Sequence, residues 1–444
     1  MDVDYQRYIL LQEQFVTRYE KDLVKNVILQ LDTGFAAGGD DQAFDSITGI
    51  PHLRPLNLTS DEELTIEDTK YVPVDRPKAT DYIQKGEVLF NNTNSSIWVG
   101  KSLVFNEDYL ACCSNHITRL TVDLEKAVPQ YIADIFNLLR RKRLFEFYCV
   151  NFNNQAGINT EMLGNLPIPL PPPDIQRALV TDLDHARATR KAKLAEAEHL
   201  LKGMDAVVMR ELGLTVPPSE SSLTFTVRLS DAFKRLDVHY HQPYFKQLTD
   251  LITTIPHKKL GQIITFSHET INPETLNESF FDYIEISGVD LLTGEINSTQ
   301  ELTSTPPSRA KMLVRHDDIL VSLTRPHRGA ITLVDEAQDG YVASTGFAIL
   351  RRIIDENIER EYLVCVLRAN IGLKQMERGS SGGNYPAITE DELKKILVPI
   401  PSDTIQKNII AELNTRRDRA RQLRQEADAI WHEAQARFEQ ALMG

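Results

Sequence analysis

The stretch NNQAGINTEMLGNLPIPLPPPDIQ (153–176) occurs a second time, in altered form, as NYPAITEDELKKILVPIPSDTIQ (384–406). A gapless shift of 230 residues aligns identical residues: Asn154 with Asn384, Ile158 with Ile388, Leu163 with Leu393, Pro169 with Pro399, Pro171 with Pro401, Ile175 with Ile405, and Gln176 with Gln406. Chance would not place Pro-x-Pro and Ile-Gln together in one frame. The sequence therefore predicts an internal duplication with pseudo-two-fold character.

Each copy continues into a segment typical of a long helix. Proline is absent over 174–216 and over 402–444, and a proline inside a helix would break it. A three-and-four spacing marks a seam rich in small and apolar residues at positions 183, 186, 190, 193, 197, 200, 204 and 207, and at 413, 416, 420, 423, 427, 430 and 434. Such a seam favours coiled-coil pairing of the two helices with each other. The alternative is two amphipathic helices that each pack on their own core.

The segments that precede the two helices also resemble one another. KGEVLFNNTN (85–94) lies about 231 residues before HDDILVSLTR (316–325), and both indicate a charged turn, a buried strand and a polar loop. Mixed strands and short helices predict α+β domains. We expect a first domain over 1–165 with an N-terminal helix over about 1–30, a spacer helix over 166–215, a second domain over 216–395 and a second spacer helix over 396–444.

Composition limits the class of protein. The chain has 444 residues, is 42% hydrophobic and is 25% charged, which suits two or three packed domains. Its apolar runs are too short to cross a bilayer and Met1–Asp4 does not resemble a signal peptide, so we expect a cytoplasmic protein with no membrane partner. The four cysteines form no CxxC pair and predict buried, inert thiols.

The net charge of −14 argues against indiscriminate nucleic-acid binding. A DNA-binding function would need locally clustered basic residues, or a basic partner that supplies the phosphate contacts. The sequence lacks the motifs Asn/Asp-Pro-Pro-Tyr/Phe, GxxxxGK[ST] and HExxH, and GSSGG (379–383) is not followed by Lys-Ser/Thr. We therefore expect no catalytic site, no cofactor and no metal in this chain.

Taken together, these features resemble the specificity subunit of type I restriction-modification systems. The resemblance covers almost the whole chain. It is carried by the two hinges PIPLPPPDIQ (167–176) and VPIPSDTIQ (398–406), the loop that precedes the first hinge, RLDVHYHQPYF (235–245), GEVLFNNTN (86–94) and DILVSLTRP (318–326). A helix at the N-terminus is not characteristic of that family.

The resemblance implies two target-recognition domains held apart by a pair of antiparallel coiled-coil helices, each domain reading half of a bipartite site in double-stranded DNA. It further implies that two modification (methyltransferase) subunits dock on the helices, and that two restriction subunits join where such a subunit exists. S-adenosylmethionine is then expected in the modification subunit, and ATP and Mg in the restriction subunit. Two alternatives stay open: a DNA-reading adaptor of another multi-subunit defence system, and a protein–protein scaffold that binds no DNA.

Base reading needs planar, bidentate side chains such as Arg, Asn and Gln. The predicted DNA-binding residues are Asn91, Asn92, Thr93, Asn94, Ser95, Lys101, Asn153, Asn154, Gln155, Arg325, His327, Arg328, Arg378, Ser380, Ser381 and Asn384. For 91–101 a simple polar turn is the competing interpretation. The basic run RRKR (140–143) is either a phosphate contact or a solvated helix face.

Overall fold

The structure is a computed structural model that describes residues 16–43, 47–152, 155–215, 224–233 and 235–443. Its chain divides into two compact units. The first comprises the described residues of Met1–Ala192 and Glu426–Gly444, and the second comprises those of Lys193–Gln425. Within the described ranges, no helix has the length and apolar character that a membrane span requires.

The first unit is built on short strands. These are β1 (Lys21–Leu23), β2 (Ile28–Thr33), β3 (Gly49–Leu53), β4 (Lys70–Pro73), β5 (Val88–Asn91), β6 (Thr93–Asn94), β7 (Ser102–Val104), β8 (Cys112–Cys113), β9 (Ile117–Val122), β10 (Val150–Phe152), β11 (Gln155–Gly157) and β12 (Pro167–Pro169). They form sheets in the orders β2-β9-β5-β7, β4-β3-β8, β10-β11-β6 and β1-β12. The pairing of β3 with β8 is parallel, whereas the other pairs are antiparallel.

The second unit repeats this plan. Its strands are β13 (His257–Lys259), β14 (Ile264–Ser267), β15 (Phe280–Ile284), β16 (Thr299–Leu302), β17 (Ala310–Leu313), β18 (Ile319–Ser322), β19 (Ile331–Leu333), β20 (Val342–Ser344), β21 (Phe347–Ile353) and β22 (Leu397–Pro399). The sheet orders are β14-β21-β18-β19, β16-β15-β20-β17 and β13-β22, and β15 pairs with β20 in parallel. Apolar strand residues such as Ile319–Val321 are fully buried, which explains their β-branched and leucine-rich sequence.

Helices accompany the strands in both units. They are α1 (Pro129–Arg141), α2 (Leu144–Tyr148), α3 (Thr160–Gly164), α4 (Pro173–Lys202), α5 (Met204–Glu211), α6 (Leu229–Ala232), α7 (Pro243–Ile252), α8 (Arg360–Arg368), α9 (Asn370–Gly379), α10 (Glu390–Leu393) and α11 (Asp403–Leu442). With this mixture of strands and helices, the predicted α+β class is confirmed.

The two long helices are close to the predicted ones. The single helix expected after the first hinge is interrupted at Gly203, which separates α4 from α5. In the first unit, Leu183 and Ala186 belong to one apolar cluster with Trp431 and Ala434. In the second unit, the corresponding cluster joins residues 197 and 201 to residues 413, 420 and 423. Several predicted seam positions are therefore buried within the unit to which they belong.

Residues at the start of the described chain are not helical. The helix expected over about residues 1–30 is wrong for residues 16–30, where β1 and β2 lie; residues 1–15 are outside the described ranges. Lys21–Leu23 pairs with the hinge strand Pro167–Pro169, and Leu170 N donates to Glu20 O at 2.9 Å. The apolar pattern of residues 16–30 is also compatible with a helix. The strand forms instead because Lys21–Leu23 pairs with residues more than 140 positions away, and such a tertiary contact overrides the local helix propensity.

In each unit a buried glutamine of the hinge forms hydrogen bonds with the start of an earlier helix, α1 in the first unit and α8 in the second. Gln176 Oε1 accepts from Val128 N at 2.8 Å, and Gln176 Nε2 donates to Pro171 O at 2.8 Å. Gln406 repeats both contacts, with Glu359 N at 3.0 Å and with the carbonyl oxygen of the equivalent hinge proline at 3.1 Å. Both glutamines are almost completely buried. We call this pair of interactions the glutamine clamp.

We expect Gln176→Ala and Gln406→Ala each to lower the free energy of unfolding by about 1–3 kcal/mol, because buried donors and acceptors lose their partners. The measurement is urea unfolding followed by circular dichroism. Gln425→Ala is the control, since Gln425 is exposed and should change stability by less than about 0.5 kcal/mol. Equal midpoints for the clamp variants and the control would contradict a structural role for the clamp.

Candidate nucleic-acid interface

Two polar loops of the first unit meet at one sheet edge. Strand β6 pairs with β11, with Asn94 opposite Ala156 and Thr93 opposite Gly157. Gln155 begins β11 and is exposed, as is Ser95 beyond the end of β6. The fold thus brings together predicted residues that lie some 60 positions apart in the sequence. The predicted residues Asn153 and Asn154 lie outside the described residues.

Three predicted residues of the first unit have structural roles instead. Asn91 Nδ2 donates to the carbonyl of Trp98 at 2.9 Å, and Asn92 Nδ2 donates to the Thr118 hydroxyl at 2.9 Å. Both amides are buried, as is Lys101. The Lys101 ammonium donates to the carbonyl oxygens of residues 55 and 58, and burial lowers its pKa to about 8. These side chains are not available to a base edge, so the prediction for Asn91, Asn92 and Lys101 is corrected.

The second unit brings its polar loops together in the same way. Thr324 forms a backbone bridge with Ala387. Beside it, Arg325 Nη2 donates to Asn384 O at 2.9 Å, and its guanidinium lies over the Tyr385 ring at 4.2 Å from the centroid. Asn384, Tyr385 and Ala387 are exposed. The Arg325 loop and the 381–387 segment therefore form one polar surface.

The Arg325 loop is held in an unusual backbone shape. Arg325 has φ 49° and Gly329 has φ 82°, and the residues between them form a 3₁₀ turn. Only glycine adopts such a φ without strain, so Gly329 is required where the turn closes. His327 is half-buried and burial lowers its pKa, which keeps the imidazole neutral at pH 7. Arg328, at the end of the turn, is exposed.

Two further predicted residues of the second unit serve the fold. Arg378 Nε donates to Tyr240 O at 3.1 Å, and Arg378 Nη1 donates to the Thr249 hydroxyl at 2.9 Å. The hydroxyl of the buried Ser380 donates to Met376 O at 2.8 Å. The prediction that Arg378 and Ser380 contact DNA is therefore corrected. Ser381 is exposed and stays on the candidate surface.

A cleft of about 410 Å³ opens beside the Arg325 loop. It is lined by Tyr283, Glu285, Ile286, Ser287, Val289, Leu291, Arg309, Thr324, Arg325, Arg328, Ala330, Ser344 and Tyr385. Arg309 and Arg328 are exposed, and neither makes an ion pair with any residue in the described ranges. Sequence reasoning missed Arg309, although it directly precedes β17. Two guanidinium groups here can each donate a bidentate pair of hydrogen bonds.

The first unit has a cleft at the equivalent place. Its volume is about 270 Å³, and it is lined by Ala36, Ala37, Gln42, His52, Arg54, Pro55, Lys70, Tyr71, Val72, Ser114, Asn115 and His116. Both clefts lie at the parallel strand pair, β3 with β8 here and β15 with β20 in the second unit. Sequence reasoning missed this cleft, although the 230-residue shift aligns Ser114 with Ser344 and would have located it.

The basic run 140–143 is largely paired within the first unit. Arg141 contacts Glu62 at 2.5 Å, Arg143 contacts Glu146 at 2.6 Å, and Lys142 forms an ion pair with a carboxylate of α11. Arg140 lies near the Trp98 ring. Charges that are paired within the protein have little left to offer a phosphate, so these ion pairs favour a helix face over a phosphate contact, although neither interpretation predicts them.

The described residues offer no cluster of three or more His, Cys, Asp or Glu side chains that could hold a metal ion. The four cysteines are buried and form no disulfide bond, as the sequence predicts. Burial raises the pKa of Cys112 and of Cys113 to about 12, so both remain thiols at neutral pH.

Comparisons with known proteins agree with the resemblance. Residues 255–425 match the family described as "Type I restriction modification DNA specificity domain". The chain is 31% identical over 137 residues to the type I restriction enzyme HindI specificity subunit of Haemophilus influenzae, which covers 30% of this chain and 28% of that protein. It is 27% identical over 163 residues to the putative MjaX specificity subunit of Methanocaldococcus jannaschii, with coverages of 35% and 38%. The match thus spans less than two fifths of either relative.

A solved structure described as the "structural basis underlying complex assembly and conformational transition of the type I R-M system" aligns with 96% of this chain and 98% of that chain. The TM-score is 0.51 and the sequence identity is 16%, so this likeness concerns the fold. Together with the family match and the curated relatives, the predicted resemblance to type I specificity subunits is confirmed.

We expect Lys101→Met to destabilise the first unit by about 1–3 kcal/mol, because the carbonyl oxygens of Pro55 and Leu58 lose a charged donor inside the protein. Urea unfolding measures the change. Ser95→Ala is the matched control on the same loop, and its exposed side chain should contribute less than about 0.5 kcal/mol. If Lys101→Met is as stable as Ser95→Ala, the amine does not hold this turn.

Proposed function

We propose that this chain is the DNA sequence-recognition subunit of a type I restriction-modification complex and has no catalytic site of its own. One observation carries the proposal: the two units place differently lined clefts at the same position in the same fold. The framework is shared, whereas the polar side chains differ. Two such surfaces suit the reading of two different short sequences, which is what a bipartite target requires.

The chemistry of each cleft suits base edges in the major groove. In the second unit, Arg309 and Arg328 present guanidinium groups that match the O6 and N7 acceptors of guanine. In the first unit, Lys70 and Asn115 are exposed, and an amide such as that of Asn115 pairs with adenine. Of the residues predicted from the sequence, we retain Thr93, Asn94, Ser95, Gln155, Arg325, His327, Arg328, Ser381 and Asn384 as candidate DNA contacts.

We propose that partner subunits supply most of the positive charge that contacts the DNA phosphates. The net charge of this chain is −14, so much of the grip on phosphate has to come from elsewhere. We propose two modification subunits, one for each copy of the duplicated framework, and two restriction subunits where the system includes them. S-adenosylmethionine would be bound by the modification subunits, and ATP and Mg by the restriction subunits.

We further propose that α4 and α11 pair as antiparallel coiled-coil helices between two target-recognition domains related by pseudo-two-fold duplication. The repeated strand orders and the repeated glutamine clamp support the duplication. The domain boundaries proposed from the sequence are 1–165, 166–215, 216–395 and 396–444. At 1.5 Å per residue, α11 with its 40 residues is about 60 Å long, more than the roughly 34 Å of one DNA turn.

The decisive experiment maps methylated bases in a host that carries this chain with its modification subunit. The proposal predicts one bipartite motif, with two short specific halves and an unread gap between them. Methylation at an undivided motif would favour an adaptor of another defence system. If the purified complex binds every duplex equally, or none at all, the chain is a protein–protein scaffold instead.

The two clefts should read different halves of the target. Arg309→Ala with Arg328→Ala should weaken binding through one half-site, by about 1–3 kcal/mol for each lost base contact, and Lys70→Ala with Asn115→Ala through the other. Fluorescence anisotropy on duplexes with either half scrambled measures this. Arg352→Ala is the control because it is an exposed arginine outside both clefts. A loss that is independent of sequence would identify phosphate contacts instead.

The helix pair should set the length of the unread gap. Two ion pairs link α4 to α11: Arg190 Nη2 lies 3.7 Å from Asp428 Oδ1 in the first unit, and Arg419 Nη2 lies 3.7 Å from Glu196 Oε1 in the second. Inserting one heptad after residue 192 and another after residue 425 keeps the seam in phase. The pair then lengthens by about 10 Å, roughly three base-pair steps. Methylome sequencing should show both half-sites unchanged with a wider gap, and an unchanged gap at full activity would contradict this.

A further inference from the structure

A second cleft in the second unit has a different chemistry. Its volume is about 470 Å³, and it lies between the 293–297 turn, β19, α8 and the first half of α11. Three arginines line it: Arg368, Arg417 and Arg421. Arg421 is neutralised by Glu295 at 3.0 Å and by Asp418 at 2.9 Å. The other two arginines carry the argument.

The first unit shows what an arginine at this position requires. Arg187, which corresponds to Arg417 in the 230-residue shift, contacts Glu62 at 3.0 Å and Asp184 at 2.8 Å, and it forms an ion pair with the buried Asp134. Burial alone would lower the pKa of Arg187, but these carboxylates more than offset it and raise the pKa above its ordinary value. A guanidinium group in this position is thus balanced by three carboxylates of its own chain.

The contacts at the starts of α1 and α8 establish which residue of α8 in the second unit corresponds to each residue of α1 in the first unit. The N–H groups at the starts of the two helices, Val128 and Glu359, are held by the two clamp glutamines. This register places Cys365 at the position of Asp134, and Arg368 at that of Asn137. Asn137 Nδ2 and Arg368 Nη1 accordingly donate to equivalent carbonyl oxygens, those of Ser102 and Ile331.

All three carboxylates around Arg187 are replaced in the second unit. Cys365 stands for Asp134, and Asn414 stands for Asp184 in the 230-residue shift. The third replacement lies in a turn: Glu62 and Gly294 both have positive φ, at 66° and 80°, just before the bridged residues Leu64 and Ile296. A cysteine, an amide and a glycine have taken the places of three negative charges.

The guanidinium of Arg417 is therefore under-satisfied. Arg417 Nη1 donates to Asn414 Oδ1 at 3.1 Å, another contact is to the Cys365 sulfur, and Arg417 Nε is buried without a partner in the described chain. Arg368 Nη2 donates to two backbone carbonyl oxygens at 3.0 Å, and its Nε is likewise unsatisfied. Burial, together with the charge of Arg417, lowers the pKa of Arg368 to about 10.

The acidic residues nearby are engaged elsewhere. Asp290 accepts three hydrogen bonds from its own turn. Asp335 accepts from Gln338 N, and Glu361 accepts from the Asn414 amide at 3.3 Å. No carboxylate in the described ranges lies within ion-pair distance of Arg417 or Arg368. Half-buried cations without such partners are costly, so this cleft is prepared for an anion from outside.

We propose that this cleft binds a carboxylate from an acidic segment of another protein chain. The ligand chemistry follows from the first unit, where carboxylates satisfy the equivalent arginine. The source follows from the location: α11 forms one wall, and the proposed function, through the resemblance to specificity subunits, implies that modification subunits dock on the helices. Only the identity of the partner rests on that proposed function, because the anion site itself stands on the contacts of Arg417 and Arg368.

The test introduces a carboxylate of the protein itself next to Arg417, where the first unit has one next to Arg187. Cys365→Asp places a carboxylate beside Arg417, as Asp134 stands beside Arg187, whereas Cys365→Asn has the same shape without the charge. The probes are a hexapeptide of glutamate and alanine and, separately, inorganic phosphate, titrated by calorimetry into the full-length protein. We expect the peptide to bind the wild type and Cys365→Asn, and to bind Cys365→Asp at least about tenfold more weakly, since charged hydrogen bonds contribute roughly 1.5–3 kcal/mol.

Thermal unfolding gives a readout that needs no ligand. Cys365→Asp should unfold at a higher temperature than Cys365→Asn, because only the aspartate neutralises Arg417. Arg417→Gln should abolish peptide binding in a protein that remains folded. Equal melting temperatures of the two Cys365 variants would overturn the inference, as would absence of peptide binding to the wild type or tighter binding of phosphate than of peptide. DNA binding by the same variants should be unchanged, so a failure of the proposed function remains distinguishable.

Discussion

The structure depends on how each proline hinge is satisfied. Prolines keep the hinge extended, but they supply no N–H donors, and the helix that follows begins directly after them. The glutamine clamp resolves this, because one buried amide accepts from the start of the preceding helix and donates to the hinge carbonyl of Pro171 or Pro401. A short antiparallel strand pair supports each hinge.

On this shared framework the two units differ mainly in the side chains they present. The equivalent parallel strand pair underlies each cleft, yet the first cleft is lined by two histidines, a lysine, one arginine, one tyrosine and two amides, and the second by three arginines, two tyrosines and a glutamate. Function in such a molecule lies in the lining of a site and not in its fold. Under the proposed function, two domains of similar fold whose clefts carry different side chains would bind two different short DNA sequences.

The two units also differ in the charged side chains around one equivalent arginine, Arg187 in the first unit and Arg417 in the second. Around Arg187 the first unit is electrostatically complete, because three carboxylates surround one half-buried guanidinium. The second unit keeps the arginine, as Arg417, and loses the carboxylates. Comparing two copies inside one molecule thus shows an unsatisfied group that a single copy would not reveal. It also indicates that the two units have different demands for partners, although their backbones follow one plan.

The sequence by itself determined the two long helices, the α+β class and the resemblance to specificity subunits, and it predicted the internal repeat, since periodicity and proline spacing are local signals. Only the tertiary structure decided which polar residues face solvent. Lys101 points inward because the carbonyl oxygens of a turn more than 40 residues away need a donor. The N-terminal strand likewise has its partner beyond residue 160, so no local pattern could have revealed it.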